Sequence, residues 1–214
     1  MAISQYIQVF TAILVIVNPV GAIPVFISLT GDQSPSKRKR TAHTAAISVA
    51  VVLTVTAFVG EAILKFFGIS IPSFRVAAGI LLLLMALAML HAKQSTSKHS
   101  PEEAEEAAGQ DSVAVVPLTI PLMTGPAAMS TVIIYVNKAS GWFDTGFVIA
   151  SGIVVAFIVW IALRLATPIA SALGKTGMNI VIRVMGLLLA AIAVEFITGG
   201  LGKLFPGLLQ GSAP

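Results

Sequence analysis

Five stretches of this 214-residue chain contain no Asp, Glu, Lys or Arg and are long enough to cross a bilayer: residues 1–31, 41–60, 76–92, 112–137 and 145–163. A hydrocarbon core takes about 20 residues of helix. Lipid offers no partners for a bare backbone, so a crossing segment without strand neighbours must be helical. A sixth run, residues 178–201, has the same character but carries Arg183 and Glu195. The expected fold is therefore an all-α membrane protein with six transmembrane helices and no soluble domain. Composition points the same way: 57% of residues are hydrophobic and 10% charged, against about 25% charged in soluble domains.

No Lys or Arg precedes the first run, which is also too long for the apolar core of a signal peptide; it is expected to stay as span 1. The absence of cysteine excludes disulfides, thiolate metal sites and thiol catalysis. A pI near 9.6 would suggest nucleic acid in a soluble protein, but here it reports orientation, and no nucleic-acid partner is expected. The loops after spans 1, 3 and 5 and the adjoining helix ends hold Lys37, Arg38, Lys39, Arg40, Lys93, Lys98, Arg164, Lys175 and Arg183, while the other side has Lys65, Arg75, Lys138 and Lys203. The positive-inside rule then puts the KRKR loop in the cytoplasm and both termini outside. Trp142 and Phe143 suit an interfacial aromatic belt.

The chain contains an internal repeat. "FRVAAGILLLLMAL", from Phe74, resembles "IRVMGLLLAAIAV", from Ile182, and "VTAFVGEAILK" more weakly resembles "VVAFIVWIALR". Residues 1–96 form the first three-span repeat (spans 6–30, 41–67 and 72–92). Residues 97–112 are a cytoplasmic acidic linker. Residues 113–205 form the second repeat (spans 113–136, 145–172 and 178–201), and residues 206–214 are a C-terminal tail. Three spans per half is an odd number, so the second half enters the membrane from the opposite side, which predicts an inverted-topology repeat.

Spans 1 and 4 share an anomaly at about the same depth. Span 1 contains "NPVGAIPVFISLT" and span 4 contains "VVPLTIPLMTGPAAMSTVIIYV", so Asn18-Pro19 and Gly125-Pro126 both fall near the bilayer midplane. A proline removes a donor and clashes with the carbonyl four residues back, freeing the C=O of Val15 and of Leu122. After each break a new half-helix starts with unpaired N–H groups and a positive dipole end. Such ends bind carboxylates. The freed carbonyls suit an ammonium or metal cation, so the two breaks together offer complementary partners for a zwitterion. Asn18, Pro19, Gly21 and Pro24 in span 1 and Thr124, Gly125, Pro126 and Ser130 in span 4 are the candidate substrate-binding residues. For Ser130 and Thr131 taken alone, back-bonding within the helix is the simpler expectation.

Glu195 and Glu61 are the candidates for coupling or gating, since charges inside a membrane are expensive and usually functional. Glu61 precedes Lys65 by one helical turn and is first expected to pair with it. Arg75 and Arg183 begin spans 3 and 6 in equivalent places, where they either snorkel to the interface or brace the broken helices. His43, His91 and His99 lie at helix ends or in the linker with no carboxylates at ligand spacing. No metal, cofactor or enzymatic activity is expected.

The motifs "NPVGAIPVFISLT", "VVPLTIPLMTGPAAMS", "RVMGLLLAAIAVEFITGG" and "FGISIPSFRVAAGI" resemble the MarC family of bacterial and archaeal membrane proteins, over about residues 6–209. The resemblance implies a six-helix inner-membrane protein that handles small neutral amino acids such as alanine and glycine. Its span 1 motif maps onto Asn18, Pro19, Gly21 and Pro24, and its span 4 motif onto Thr124, Gly125 and Pro126. Where members often have a second glycine after the span 4 proline, this chain has Ala127, whose methyl narrows the site. The leading expectation is a secondary transporter of small neutral amino acids working by alternating access, with a proton or sodium as coupling ion. The alternatives are a membrane binding or structural protein without transport, and an exporter of another small solute. The oligomeric state stays open.

Overall fold

The computed structural model describes residues 3–91 and 123–207. These residues form helices joined by short turns, with no strand among them. The helices are α1 (Ile3–Val17), α2 (Ala22–Thr30), α3 (Pro35–Phe66), α4 (Ile71–Leu90), α5 (Pro126–Asn137), α6 (Trp142–Arg164) and α7 (Ala166–Leu204). Five segments are long and apolar enough to cross a membrane, counting Ile3–Thr30 as one, and α5 is a shorter apolar helix. The acidic linker, Pro117, Pro121 and most of the tail lie outside the described residues.

The helix ends follow from local chemistry. At the start of α3, Ser34 accepts the Lys37 N–H at 3.3 Å, and Pro35 occupies the first helical position. The helix therefore begins six residues before the expected 41, and Lys37 to Arg40 form its first turns instead of a loop. With 32 residues, α3 is about 48 Å long at 1.5 Å per residue, so these cations stand beyond a 30 Å core. Ser70 caps α4 in the same way through Ser73 N–H, 3.2 Å away. Span 5 ends at Arg164, short of the expected 172. The following α7 is broken at Gly174, whose φ of 62° lies in the left-handed region that glycine enters freely.

Large apolar side chains such as Phe58, Leu84, Phe157 and Leu187 stand exposed on the outer faces of α3, α4, α6 and α7, as a lipid-facing surface requires. Small residues line the inner faces. Along the α4–α7 seam, a methyl added to Gly79 would meet Ile197, Ala193 and Phe196, and one added to Gly186 would meet Met89, Ala86 and Leu90. Lipid tails are as apolar as leucine, so helices associate here through close backbone approach, which small residues permit. Gly79, Leu82 and Ala86 on α4 and Gly186, Leu189 and Ala193 on α7 form matching buried stripes.

Contacts fix which helix ends lie together. Tyr6 near the start of α1 donates its hydroxyl to Asp144 Oδ1 at the start of α6, 2.6 Å away. Asp144 Oδ2 accepts the Ser140 N–H at 3.0 Å. The starts of α4 and the ends of α5 and α7 share a cavity at this Tyr6 end. At the opposite end, Arg38 of α3 donates to the carbonyl of Thr30, the last residue of α2, at 2.9 Å, and to Thr167 Oγ1 of α7 at 3.1 Å.

Candidate functional site

The right-handed helical region is disfavoured for a residue that precedes proline. Asn18, followed by Pro19, leaves it for φ 49°, and among the described residues it is the one non-glycine at positive φ. Asparagine tolerates this better than most because its short amide can bond locally. That bond is present: Asn18 Oδ1 accepts the Gly21 N–H at 3.0 Å. The Asn18 backbone carbonyl then accepts the N–H of Ala22, at 3.2 Å. The chain thus turns once through residues 18–21 and resumes as α2. Pro24 stands at the third position of α2, where a missing N–H leaves no helical bond unmade.

Gly21 is required by contact and not by its backbone angles. Its φ is −64°, open to any residue, but a methyl there would overlap the Asn18 amide. Asn18 is 2% exposed, and its Nδ2 faces the thioether sulfur of Met89 on α4 at 3.9 Å. A thioether is a weak acceptor. The amide therefore holds the turn with its oxygen and keeps a poorly matched donor inside the protein.

The start of α5 is built differently. Gly125 is extended, with φ −64° and ψ −177°, and it supplies no side-chain cap. Its carbonyl accepts the Met129 N–H at 3.1 Å, and Pro126 takes the first helical position. Thr124 and Met123 before it are buried, as are Ala127 and Ala128 after it. Of the two hydroxyls on the next turn, Thr131 back-bonds to the Ala127 carbonyl at 2.8 Å as expected. Ser130 does not: its Oγ is buried with no hydrogen-bond partner among the described residues. An unpaired buried hydroxyl costs about 1–3 kcal/mol.

The remaining candidates separate. Helix α1 packs against α5, and α2 against α7, but the two glutamates stand elsewhere. Glu61 pairs with Lys65 at 2.7 Å on the last turns of α3. Glu195 is exposed on α7, and its backbone carbonyl accepts Arg75 Nη2 at 3.3 Å. Arg75 also lies over the Phe196 ring, 5.3 Å from its centroid, so it braces α4 against α7. Arg183 is exposed. Among the described residues no cluster of His, Asp and Glu has the makings of a metal site.

A family model described as "MarC family integral membrane protein" matches residues 3–205. The UPF0056 membrane protein YhcE of Escherichia coli K12 is 42% identical over 206 residues, covering 96% of this chain and 95% of that protein. UPF0056 membrane proteins of Buchnera aphidicola (39% identical, 97% of each chain) and Pyrococcus horikoshii (38%, 95% of this chain and 98% of that one) are similar throughout. No solved structure matches the chain.

Proposed function

This chain belongs to the MarC family of integral membrane proteins, and on that premise we propose that it is a secondary transporter of small neutral amino acids. The observation that carries the reading is the helix start inside the protein at Gly125–Pro126, which has no side-chain cap, together with the buried turn at Asn18–Gly21. The positive end of α5 suits a carboxylate; at α2, against expectation, the Gly21, Ala22 and Ile23 N–H groups are already bonded within the turn and Pro24 has none. The Ser130 hydroxyl and the Asn18 Nδ2, buried without strong partners, suit the rest of a small polar solute. Ala127, Gly125 and Gly21 keep the surroundings small, which favours alanine or glycine over larger substrates.

Alternating access follows from treating the halves as inverted repeats. The packing pairs support this: α4 lies along α7 and α3 along α6, and α1 meets α5, so each span touches its own counterpart. Because α4 begins at the end where α7 finishes, the counterparts run antiparallel, as inversion demands. Placement of the Tyr6 end outside and of Lys37 to Arg40 in the cytoplasm follows the positive-inside rule in an inner membrane. Glu195 is the coupling candidate, for a proton or sodium; Glu61 is already matched by Lys65.

The test is counterflow in liposomes holding the purified protein, with alanine, glycine and serine tried in turn. Exchange of at least one, inhibited by the others, is expected. If none exchanges and none raises the melting temperature of the solubilised protein, the reading is wrong for this substrate class.

A further inference from the structure

The Tyr6 end of the bundle is poor in basic residues, yet its cations are not dispersed. Among the described residues it has Lys65, Arg75, Lys138 and Lys203. Lys65 is paired with Glu61. The other three line one cavity of about 230 Å³, together with Ile71, Pro72, Ile134 and Asn137. No carboxylate is within ion-pair distance of these three among the described residues.

Two of the three have an ordinary explanation. Lys138 and Lys203 stand at the C-terminal ends of α5 and α7, where a cation complements the negative end of a helix. Arg75 does not fit that account. It lies in the second turn of α4, at the positive end of the helix, where the dipole disfavours it. Its Nη2 reaches the Glu195 carbonyl, but its Nε is buried without a hydrogen-bond partner among the described residues. Burial first, and then the fields of Arg75 and Lys203, push the Lys138 pKa below the usual lysine range. Three cations held together against mutual repulsion, with a buried guanidinium N–H unused among the described residues, are suited to an anion.

We infer that Arg75, Lys138 and Lys203 form a phosphate-binding site at this end of the protein, between the start of α4 and the ends of α5 and α7. A guanidinium with two ammonium groups matches the several oxygens and the charge of a phosphate group. The cavity is smaller than the roughly 300–1,000 Å³ of pockets for drug-sized ligands, and takes one compact headgroup. Since the helix ends stand where a bilayer has its lipid phosphates, the group arrives either on an anionic phospholipid or as free phosphate.

The experiment uses the full chain in neutral detergent, titrated separately with inorganic phosphate and with dihexanoyl phosphatidylglycerol, and follows its melting temperature and native mass spectrum. Binding of either probe supports the site: phosphate alone identifies a free anion, and the lipid alone identifies a headgroup. The Lys138→Gln/Lys203→Gln double variant, changed at exposed positions, is expected to bind at least tenfold more weakly, since loss of a single charge-assisted hydrogen bond already accounts for about tenfold. Arg75→Gln is expected to do the same, and if that variant does not fold the double variant decides. Lys175→Gln, at the opposite end, is expected to match the unchanged protein. Failure of both probes, or equal binding by the double variant and the unchanged protein, overturns the inference.

Discussion

The two helix starts inside the protein solve one problem with opposite chemistry. Each restarts a helix at a proline in apolar surroundings, where polar backbone is costly. At α2 the side chain of Asn18 turns back on Gly21 N–H, so the break consumes its own polarity. At α5 the N-cap residue is a glycine with nothing to offer, and the nearby Ser130 hydroxyl is buried and unused. The first break is thus built chiefly to hold its shape, and the second leaves its hydrogen-bonding capacity open. Similar motifs do not mean similar roles.

Substitutions can break this comparison. The largest effect is expected at Gly21→Ala, because the methyl overlaps the Asn18 amide; a loss of about 3 kcal/mol, the upper range for overpacking, should appear as a lower melting temperature in detergent. Asn18→Ala strands the Gly21 N–H and should cost about 2 kcal/mol by the same measurement. Ser130→Ala should behave in the reverse sense, leaving stability unchanged or raising it by about 1 kcal/mol while it slows alanine counterflow. A loss of stability there equal to that of Asn18→Ala would mean that the two breaks are alike after all. The smallest effect belongs to Glu61→Gln: its pair with Lys65 is solvent-accessible, with the lysine side chain 74% exposed, and about 0.5 kcal/mol is the most such a pair gives. Under the proposed coupling through Glu195, the ion dependence of counterflow should survive that change, and its loss would point to Glu61 instead.

The spans were legible because lipid permits so few solutions: an uncharged run of sufficient length has to be helical. Their ends were less so. Ser34-Pro35 carries the cap chemistry that starts α3, but the four cations directly after it look like loop to a hydropathy argument. Gly174 has no local mark that separates it from Gly177, three residues on, and only its positive φ reveals the break. At the first helix interruption the residues were legible and their use was not. Asn18 reads as a donor to a ligand until its φ of 49° brings its oxygen onto Gly21. Ser130 and Thr131 are adjacent hydroxyls with the same expected back-bond, and packing alone decides that only one makes it. Arg75 was legible as an interfacial anchor, and Lys138 and Lys203 only as charges on the less basic side; they converge only because α4, α5 and α7 meet at one end, a tertiary fact.

The grip of Arg38 on the far end of α2 has a mechanical consequence. This nine-residue helix is fastened twice, at Gly21 through the Asn18 amide and at the Thr30 carbonyl through a guanidinium that also holds Thr167. A strut clamped at both ends neither swings nor slides alone. Any displacement that reshapes the interior turn must either break one of the two clamps or carry the starts of α3 and α7 along with it, so that α2, Arg38 and Thr167 travel as one piece.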